Sequence, residues 1–386
     1  MRILHVTGAY PLPPLGGMEA TVVALAEALA MRGEEVRVVA PSDRASVVRT
    51  DRVEYHGVPA VRLSSWVQVP TGRAYRVLRD DVRWADVVHI HNPPELFCFL
   101  ASRIAARYRR PVVASVVSPG TLRHHPRLAG RLLGSIDEYL VLLQLRSAAI
   151  VQVQNPPDAA FVSSVTDRGR LLPHGVPEDF FAAPRVGRAL ADEIGWHDRH
   201  PLLLYLGRVH PMKGPDHFVR AAIELRTRKP ELGALLVGPS TSDSERALLG
   251  EIARGGATQF VRYLGPVSAE RRRAALDAAD VLVVPSLADF VEGFSLVSSE
   301  AWARGKPVAA YAVGALRSRV SEGVNGALAP PGDPVALAQA IERALELRSF
   351  ELPGDVVPWS RVVEVYAAWY SEVARPGRGA ERGVAS

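Results

Sequence analysis

The chain has 386 residues, of which 48% are hydrophobic and 23% are charged, a composition typical of globular proteins. This length predicts two or three domains, each able to bury its own core. The apolar content excludes a largely disordered chain, and no apolar run reaches the roughly 18 residues of a transmembrane helix. The N-terminus lacks the features of a signal peptide. We therefore expect a cytoplasmic protein, either free or peripheral to the inner face of the membrane.

The net charge of +5 is concentrated in the first part of the chain. Residues 1–171 contain 21 Arg and Lys against 15 Asp and Glu, or +6, whereas the remainder contains 25 against 26, or −1. Basic stretches of this kind form solvated helix faces, and they also bind anionic lipids or acidic substrates. The charge pattern leaves both interpretations open.

Short apolar runs alternate with helical periodicity along nearly the whole chain, which is the pattern of parallel βαβ units. Strands are predicted at 2–7, 35–40, 87–91, 112–117, 150–153, 170–172, 202–206, 234–237, 260–264, 281–284 and 307–311. The helices that the periodicity supports best are 20–32, 335–347 and 359–373. The fold class is therefore α/β, with two doubly wound, Rossmann-like parallel-sheet domains that face each other across a cleft.

Prolines and glycines punctuate a polar stretch at 176–200, where the joint between the domains is expected. The predicted bounds are 1–180 for the first domain and 181–355 for the second. Residues 356–375 form a last helix with an aromatic face that docks onto a domain. The Gly- and Arg-rich tail, 376–386, is expected to be disordered.

Ligands of open α/β sheets bind beyond the carboxyl ends of the strands, so functional residues are expected in the loops there. After the first strand, Gly16 and Gly17 precede a helix, where backbone N–H groups can approach an anion. A plain turn explains the same two glycines. No GxGxxG motif follows the first strand of either domain, which argues against a NAD-dependent enzyme.

Two cations follow the predicted strand 202–206. They are Arg208 and Lys213, and the latter is one of only three lysines against 43 arginines. The planar fork of an arginine and the point charge of a lysine suit a diphosphate at the end of a strand. A solvated loop is the alternative.

Two glutamates, Glu292 and Glu300, follow the predicted strand 281–284. In a helix, eight residues span roughly 12 Å, which suits two separate hydroxyl-bearing groups better than one metal. Backbone N–H groups of Phe294, Ser295 and Leu296 lie between them and can bind phosphate. A sugar, a diphosphate and a ribose would fit in this order, although two glutamates at this spacing also occur as surface charges.

With these loops, the second half of the sequence resembles the donor-binding domain of the retaining GT-B glycosyltransferases of family GT4. The matching segments, in chain order, are Leu206-Gly207-Arg208 with Lys213-Gly214, Tyr263-Leu264-Gly265-Pro266-Val267, Ala279-Asp280-Val281 with Pro285-Ser286, Glu292-Gly293-Phe294 through Glu300-Ala301, Gly305-Lys306-Pro307-Val308, Glu322-Gly323-Val324-Asn325-Gly326 and Pro331-Gly332-Asp333. The first half is similar through Gly16-Gly17, Asp86-Val87-Val88-His89-Ile90-His91 and Pro173-His174-Gly175-Val176. The resemblance thus covers nearly the full length.

The resemblance implies the GT-B fold and a retaining transferase that moves a sugar from a UDP- or GDP-sugar to an acceptor. Residues 1–180 would bind the acceptor, 181–355 the donor, and the helix 356–375 would cross back to the N-terminal domain. Arg208, Lys213 and Glu292 would be catalytic: the cations would neutralise the leaving diphosphate and Glu292 would hold sugar hydroxyls. The remaining donor-binding positions would be Gly16, Gly17, Gly207, Leu264, Gly265, Val267, Gly293, Phe294, Ser295, Leu296, Val297 and, for the ribose, Glu300.

On the acceptor side, the resemblance points to Tyr10, His91, Asn92, His124 and His125. The sequence departs from the family where a histidine is usual, because Val117 stands there. It departs again at Ser295 and at Ala315, which take the places of glycines. These departures affect the sugar and the acceptor more than the fold.

No metal and no cofactor are expected, because the family generally needs none and the chain has no Asp-x-Asp cluster. The single cysteine, Cys98, also excludes a cysteine-based zinc site. The expected partners are a nucleotide-sugar donor and a small-molecule or lipid acceptor, with weak peripheral membrane contact and no nucleic acid. Three alternatives stay open: a small secondary-metabolite acceptor, a lipid acceptor at a membrane surface, and a pseudo-glycosyltransferase with altered coupling chemistry.

Overall fold

The computed structural model describes residues 1–12, 17–62, 68–70, 72–91, 96–117 and 139–375. The chain divides into two compact units: unit 1 combines Met1–Leu172 with Trp359–Ser386, and unit 2 is Pro173–Pro358. The division falls at 172/173, whereas the sequence places it at 180/181. The reason is that Gly175 and Val176 pair with strand Val357–Pro358 and that Phe180 joins the core of unit 2. The predicted tail 376–386 lies outside the described residues.

Unit 1 contains a nine-stranded sheet and six helices in the described ranges. Its strands are β1 (Arg2–Val6), β2 (Glu35–Ser42), β3 (Ser46–Arg49), β4 (Val53–Arg62), β5 (Gln68–Pro70), β6 (Val87–His91), β7 (Val112–Val116), β8 (Ile150–Val153) and β9 (Gly169–Leu171). Its helices are α1 (Gly17–Met31), α2 (Gly72–Trp84), α3 (Leu96–Arg107), α4 (139–147), α5 (Pro156–Ser163) and the last helix, α14 (Trp359–Ala374). The strand order is β3-β4-β2-β1-β6-β7-β8-β9, with β5 paired to β4.

Unit 2 is built on a six-stranded sheet with order β13-β12-β11-β14-β15-β16, in which every pair is parallel. Its strands are β10 (Gly175–Val176), β11 (Leu202–Leu206), β12 (Gly233–Val237), β13 (Val261–Tyr263), β14 (Val281–Val284), β15 (Val308–Tyr311), β16 (Gly326–Ala329) and β17 (Val357–Pro358). Its α-helices are α6 (Asp179–Ala182), α7 (Ala189–Glu193), α8 (Pro215–Arg226), α9 (Ser242–Arg254), α10 (Ala269–Ala278), α11 (Leu296–Ala303), α12 (Leu316–Arg319) and α13 (Pro334–Leu345). Two 3-10 turns, Pro211–Lys213 and Asp289–Val291, follow β11 and β14.

The central strands of both sheets are buried on both faces, and β11, β14 and β15 of unit 2 are nearly continuous apolar runs. All residues of β11, β14 and β15 are buried, as are all residues of β6 and β7. The predicted strands 87–91, 150–153, 202–206 and 281–284 are observed with the same bounds, and the other predicted strands differ by one or two residues. The sequence does not predict β3, β4, β5, β10, β16 and β17.

The described helices include none that is both long enough and apolar enough to cross a membrane.

Candidate functional site

The connections of unit 2 run in opposite directions from its two central strands. From β11 the chain proceeds outward through β12 and β13, and from β14 it proceeds the other way through β15 and β16. Such a reversal opens a crevice between the loops that follow the two central strands. Arg208 and Lys213 follow β11, and Glu292 follows β14, so the topology brings the three predicted catalytic residues to this crevice.

An ion pair joins the two loops at the crevice. The Lys213 Nζ lies 2.7 Å from Glu292 Oε1 and also donates to the Val291 carbonyl at 3.2 Å. The Ser286 hydroxyl donates to the same Oε1 at 2.6 Å. The Glu292 side chain is only 2% exposed, whereas that of Lys213 is 26% exposed. An ammonium has three N–H donors, so one donor of Lys213 stays available to a ligand.

Two glycines allow the loops to approach each other. Gly214 has φ +63°, and a Cβ there would lie 2.2 Å from the Pro285 carbonyl oxygen. Gly314 has φ +51°, and a Cβ there would lie 2.4 Å from the Glu292 carbonyl oxygen. That oxygen accepts from the Ala315 N–H at 2.8 Å. The position of Glu292 therefore depends on a glycine in a neighbouring loop.

Arg208 presents its side chain to solvent. Its backbone is fixed, because the Tyr205 hydroxyl donates to the Arg208 carbonyl at 2.6 Å. Burial and the nearby Glu292 carboxylate raise the pKa of Tyr205, which keeps this hydroxyl a donor. In the described part of the chain no carboxylate pairs with the Arg208 guanidinium, so it is free for an anionic ligand.

The N-terminus of α11 offers backbone donors next to this ion pair. Ser295 is the N-cap and adopts a left-handed conformation with φ +65°, yet its side chain does not cap the helix. Instead its hydroxyl pairs with that of Ser298 at 2.8 Å. The first N–H groups of the helix, including those of Leu296 and Val297, have no partner within the helix, and its first turn has no acidic residue. The arrangement suits an anion.

Glu300, one turn further along α11, is buried and forms an ion pair with Arg272 of α10. Burial raises the pKa of the Glu300 carboxyl above its ordinary value, although Arg272 acts in the opposite direction. The predicted donor-binding positions Leu264 and Gly265 follow β13, the outermost strand on the β11 side. There Leu264 donates to the Leu236 carbonyl and Gly265 accepts from the Gly238 N–H, both at 2.9 Å.

Three of the predicted residues of unit 1, Tyr10, Gly17 and His91, lie at the equivalent reversal, between β1 and β6. Tyr10 follows β1, and its buried hydroxyl has no hydrogen-bond partner among the described residues. Gly17 is the first residue of α1, and His91 is the last residue of β6. Val117 comes directly after β7. The predicted residues Gly16, Asn92, His124 and His125 lie outside the described residues.

His91 belongs to a buried histidine cluster that the sequence does not predict. The cluster consists of His5, His89 and His91, and its potential ligand atoms lie within 4.8 Å of one another. His5 Nδ1 and His91 Nε2 are 2.9 Å apart. Both ring nitrogens of His89 form hydrogen bonds with hydroxyl groups, Nδ1 with that of Tyr370 at 2.6 Å and Nε2 with that of Ser115 at 2.7 Å. Hydrogen bonds occupy both nitrogens of His89, His5 Nδ1 and His91 Nε2, whereas His5 Nε2 has no partner among the described residues. The described geometry is that of a packed polar network that links β6 to α14.

Three residues of the unit 2 site escape sequence reasoning: Ser286, Arg272 and Arg319. Ser286 belongs to the matching segment Pro285-Ser286, and only its position just after β14 indicates a functional role. Arg272 is one of three consecutive arginines and only its contact with Glu300 distinguishes it. Arg319 reaches the start of α11 from the end of α12, more than twenty residues later in the chain.

Comparison with known proteins accounts for both units. A family model described as "Glycosyl transferases group 1" matches residues 200–347, and one described as "Glycosyltransferase Family 4" matches residues 15–180. A protein named D-inositol 3-phosphate glycosyltransferase from Xylanimonas cellulosilytica is 30% identical over 366 residues, which cover 84% of this chain and 82% of that protein. A protein of the same name from Nocardioides sp. is 29% identical over 375 residues, or 87% of this chain and 79% of that protein.

Solved structures share the fold over nearly the whole chain. A sucrose-phosphate synthase from Thermosynechococcus elongatus aligns with a TM-score of 0.74 at 22% identity and covers 97% of this chain and 99% of that one. Anabaena HepE, solved in complex with UDP and glucose, aligns with a TM-score of 0.71 at 18% identity and covers 97% of each chain. The predicted GT-B fold class, with two Rossmann-like domains, is confirmed.

Proposed function

Because the chain belongs to the group 1 glycosyltransferases of family 4, we propose that it transfers a sugar from a nucleoside diphosphate to an acceptor hydroxyl with retention of the anomeric configuration. The observation that carries this proposal is the Lys213–Glu292 ion pair at the strand reversal of unit 2, beside the open N-terminus of α11. This arrangement supplies cationic and backbone donors for a diphosphate and a carboxylate for sugar hydroxyls.

Each group in the site has a separate task in the proposed reaction. Arg208 and the free N–H of Lys213 bind the diphosphate, and the α11 N-terminus adds backbone donors. Oε1 of Glu292 is already shared by Lys213 and Ser286, and no described residue donates to Oε2. Oε2 is therefore the atom that accepts a hydrogen bond from a hydroxyl of the sugar. Glu300 accepts from the ribose diol in this scheme.

The transfer breaks the bond between the anomeric carbon and the β-phosphate oxygen, and the electron pair stays on that oxygen. The acceptor oxygen bonds to the anomeric carbon from the same face, and its proton passes to the departing phosphate. Negative charge on the diphosphate grows during this step, so Arg208, Lys213 and the helix terminus stabilise the transition state more than the ground state. The protein contributes mainly position and electrostatic stabilisation.

Two properties of relatives suggest the first substrates to test. A neighbour in fold was solved with UDP and glucose, and relatives that span most of the chain are named D-inositol 3-phosphate glycosyltransferases. We therefore propose a UDP-sugar donor and a small polyol phosphate acceptor. Val117, at the position where the family usually carries a histidine, is a reason to test further small acceptors as well.

The test is a transfer assay with UDP-glucose, UDP-N-acetylglucosamine and GDP-mannose against D-myo-inositol 3-phosphate and a set of small hydroxyl acceptors. The product's anomeric coupling is read by NMR, and we expect an α-glycoside from an α-linked donor. A β-glycoside would contradict the retaining reaction. Transfer only to a lipid-linked acceptor in vesicles would replace the small acceptor with a lipid, and donor binding without hydrolysis or transfer would indicate a pseudo-glycosyltransferase.

A further inference from the structure

A buried arginine, Arg319, stands behind the predicted diphosphate site. It is the last residue of α12, and its side chain is only 3% exposed. All three nitrogens of the guanidinium donate hydrogen bonds. Nε and Nη2 donate to the Asp355 carboxylate at 2.6 Å and 3.2 Å, and Nη2 also donates to the Ser299 hydroxyl at 2.8 Å. Nη1 donates to the backbone carbonyls of residues 294 and 295. Because a guanidinium has five N–H donors in a fixed plane, these contacts hold it in one orientation.

Arg319 contacts the segment that leads into α11 in two ways. Its Nη1 donates to the carbonyls of Phe294 and of Ser295, the latter at 3.3 Å. Its guanidinium also stacks on the Phe294 ring at 3.9 Å from the centroid. With both carbonyls directed to the arginine, the backbone of this segment is fixed in the turn that precedes the open N–H groups of α11. Ser295 has φ +65° there, a strained conformation that surrounding contacts must maintain.

The other contacts of this cluster lead to the ribbon formed by β10 and β17. The chain enters unit 2 at Pro173 and leaves it at Pro358, and the two passages pair as parallel strands, with Gly175 opposite Val357. Asp355, the carboxylate partner of Arg319, lies two residues before β17. His174, immediately before β10, packs its ring edge-on against Phe294 at 5.3 Å. Both passages thus contact the Arg319–Phe294 cluster.

We propose that Arg319 is a positioning residue that joins the diphosphate-binding end of α11 to the β10–β17 ribbon, so that donor binding orders the ribbon. The inference rests on the proposed function, because it assumes that the diphosphate binds at α11. When the phosphates engage the α11 N–H groups, the segment 294–295 becomes less mobile. Arg319 and Asp355 carry this restriction to β17, and the Phe294–His174 contact carries it to β10.

The test combines calorimetry of UDP binding with amide hydrogen exchange of the whole protein, with and without UDP. In the wild type, UDP should slow exchange at Gly175 and Val357 at least about threefold. Asp355→Ala removes the link to β17, and Arg319→Lys replaces the five-donor fork by an ammonium. Both variants should bind UDP about tenfold more weakly and should lose the UDP-dependent protection of the ribbon even at saturating UDP.

Glu322→Ala is the matched control, since it breaks an ion pair of unit 2, 2.7 Å from Glu322 Oε1 to Arg343 Nε, that does not touch the segment 294–295. This variant should keep both UDP affinity and ribbon protection. Asp355 is 34% exposed, so Asp355→Ala is informative even if Arg319→Lys does not fold. If Asp355→Ala retained ribbon protection at unchanged UDP affinity, the inference would be wrong while the donor site would stand. If the wild type bound none of UDP, GDP, ADP and dTDP, the proposed function and this inference would both fall.

Discussion

Lys213 and Glu292 are 79 residues apart in the chain, yet Lys213 Nζ and Glu292 Oε1 lie 2.7 Å apart at the strand reversal of unit 2. The lysine side chain is about a quarter exposed, whereas the glutamate side chain is buried. In this arrangement Glu292 holds the lysine near the place where a diphosphate would bind, and it also neutralises part of the charge that the diphosphate needs. In the proposed function, the charge balance between these two residues affects both nucleotide binding and sugar transfer.

The first prediction concerns the charge of Glu292. Glu292→Gln keeps the side-chain volume and an oxygen for the Ser286 hydroxyl, but it removes the negative charge beside Lys213. We expect a nucleoside diphosphate to bind at least as tightly as in the wild type, while sugar transfer falls about 100-fold. Calorimetry and steady-state kinetics measure the two effects separately. Glu342→Gln, which alters an ion pair with Arg228 elsewhere in unit 2, should change neither, and an equal loss of binding and transfer in Glu292→Gln would contradict the proposed role.

The second prediction concerns the glycine that supports Glu292. Gly314→Ala would place a Cβ 2.4 Å from the Glu292 carbonyl oxygen at a φ of +51°, so the Glu292 loop must move. Gly323→Ala is the matched control, because its φ is +76° but no atom lies within 4 Å of the added Cβ. Both variants should lose about 1 kcal/mol of unfolding free energy from backbone strain, and Gly314→Ala should lose more because its Cβ also clashes with backbone. Only Gly314→Ala should also reduce sugar transfer, by at least about tenfold; equal activities of the two variants would show that the Glu292 loop tolerates the displacement.

Much of unit 2 is predictable because its central strands β11 and β14 are apolar runs covered on both faces. The bounds of β11 and β14 follow from composition alone, and the loops after them follow from the rule that ligands bind at the carboxyl ends of strands. Strands β10 and β17 have two residues each, too few for any periodicity to appear. Pro59 argues against a strand at β4, although it lies at the end of the ladder opposite Ser42.

The partners of the predicted residues are less predictable than the residues themselves. Glu300 follows from its spacing to Glu292, but Arg272 has no local signal, since it stands in a run of arginines and meets Glu300 only through the packing of α10 and α11. Arg319 is harder still, because a charged residue in a short helix ordinarily points to solvent. Its burial depends on Asp355, which is 36 residues away in the chain. Such ion pairs arise from tertiary packing, and no local sequence pattern predicts them.

The third prediction concerns the ribose. If Glu300 accepts hydrogen bonds from the ribose diol, removal of the 2′-hydroxyl should weaken binding of UDP to the wild type by about tenfold. Glu300→Ala should bind UDP and 2′-deoxy-UDP equally, both more weakly than the wild type binds UDP. Competition calorimetry with the two nucleotides measures the difference. A variant that still prefers the ribonucleotide as strongly as the wild type would exclude Glu300 from ribose recognition.

The fourth prediction concerns acid. Burial and the neighbouring Arg319 lower the pKa of His174 from 6.5 to about 3, so the folded protein keeps this ring neutral while the unfolded chain protonates it. The contribution of His174 to stability is therefore complete above pH 6.5 and is lost as the pH falls from 6.5 towards 3. Below pH 6.5 the loss approaches about 1.4 kcal/mol per pH unit.

His174→Gln removes this titration and leaves the rest of unit 2 unchanged in charge at neutral pH. Urea unfolding at pH 7, 6, 5 and 4 should give a shallower decline of the unfolding free energy for the variant than for the wild type. Parallel curves would mean that His174 is already protonated in the folded state. His5, whose pKa burial lowers to about 3, should act in the same direction in unit 1.

The most direct test of the account is the affinity of UDP and UMP, or of the diphosphate and monophosphate of whichever base binds, for the wild type, Lys213→Met and Lys229→Met. Lys229 is another of the three lysines of the chain and lies just beyond the end of α8. We predict that the wild type and Lys229→Met bind the diphosphate at least about tenfold more tightly than the monophosphate, and that Lys213→Met loses this preference. An undiminished preference in Lys213→Met would contradict the placement of the diphosphate between Lys213 and the start of α11.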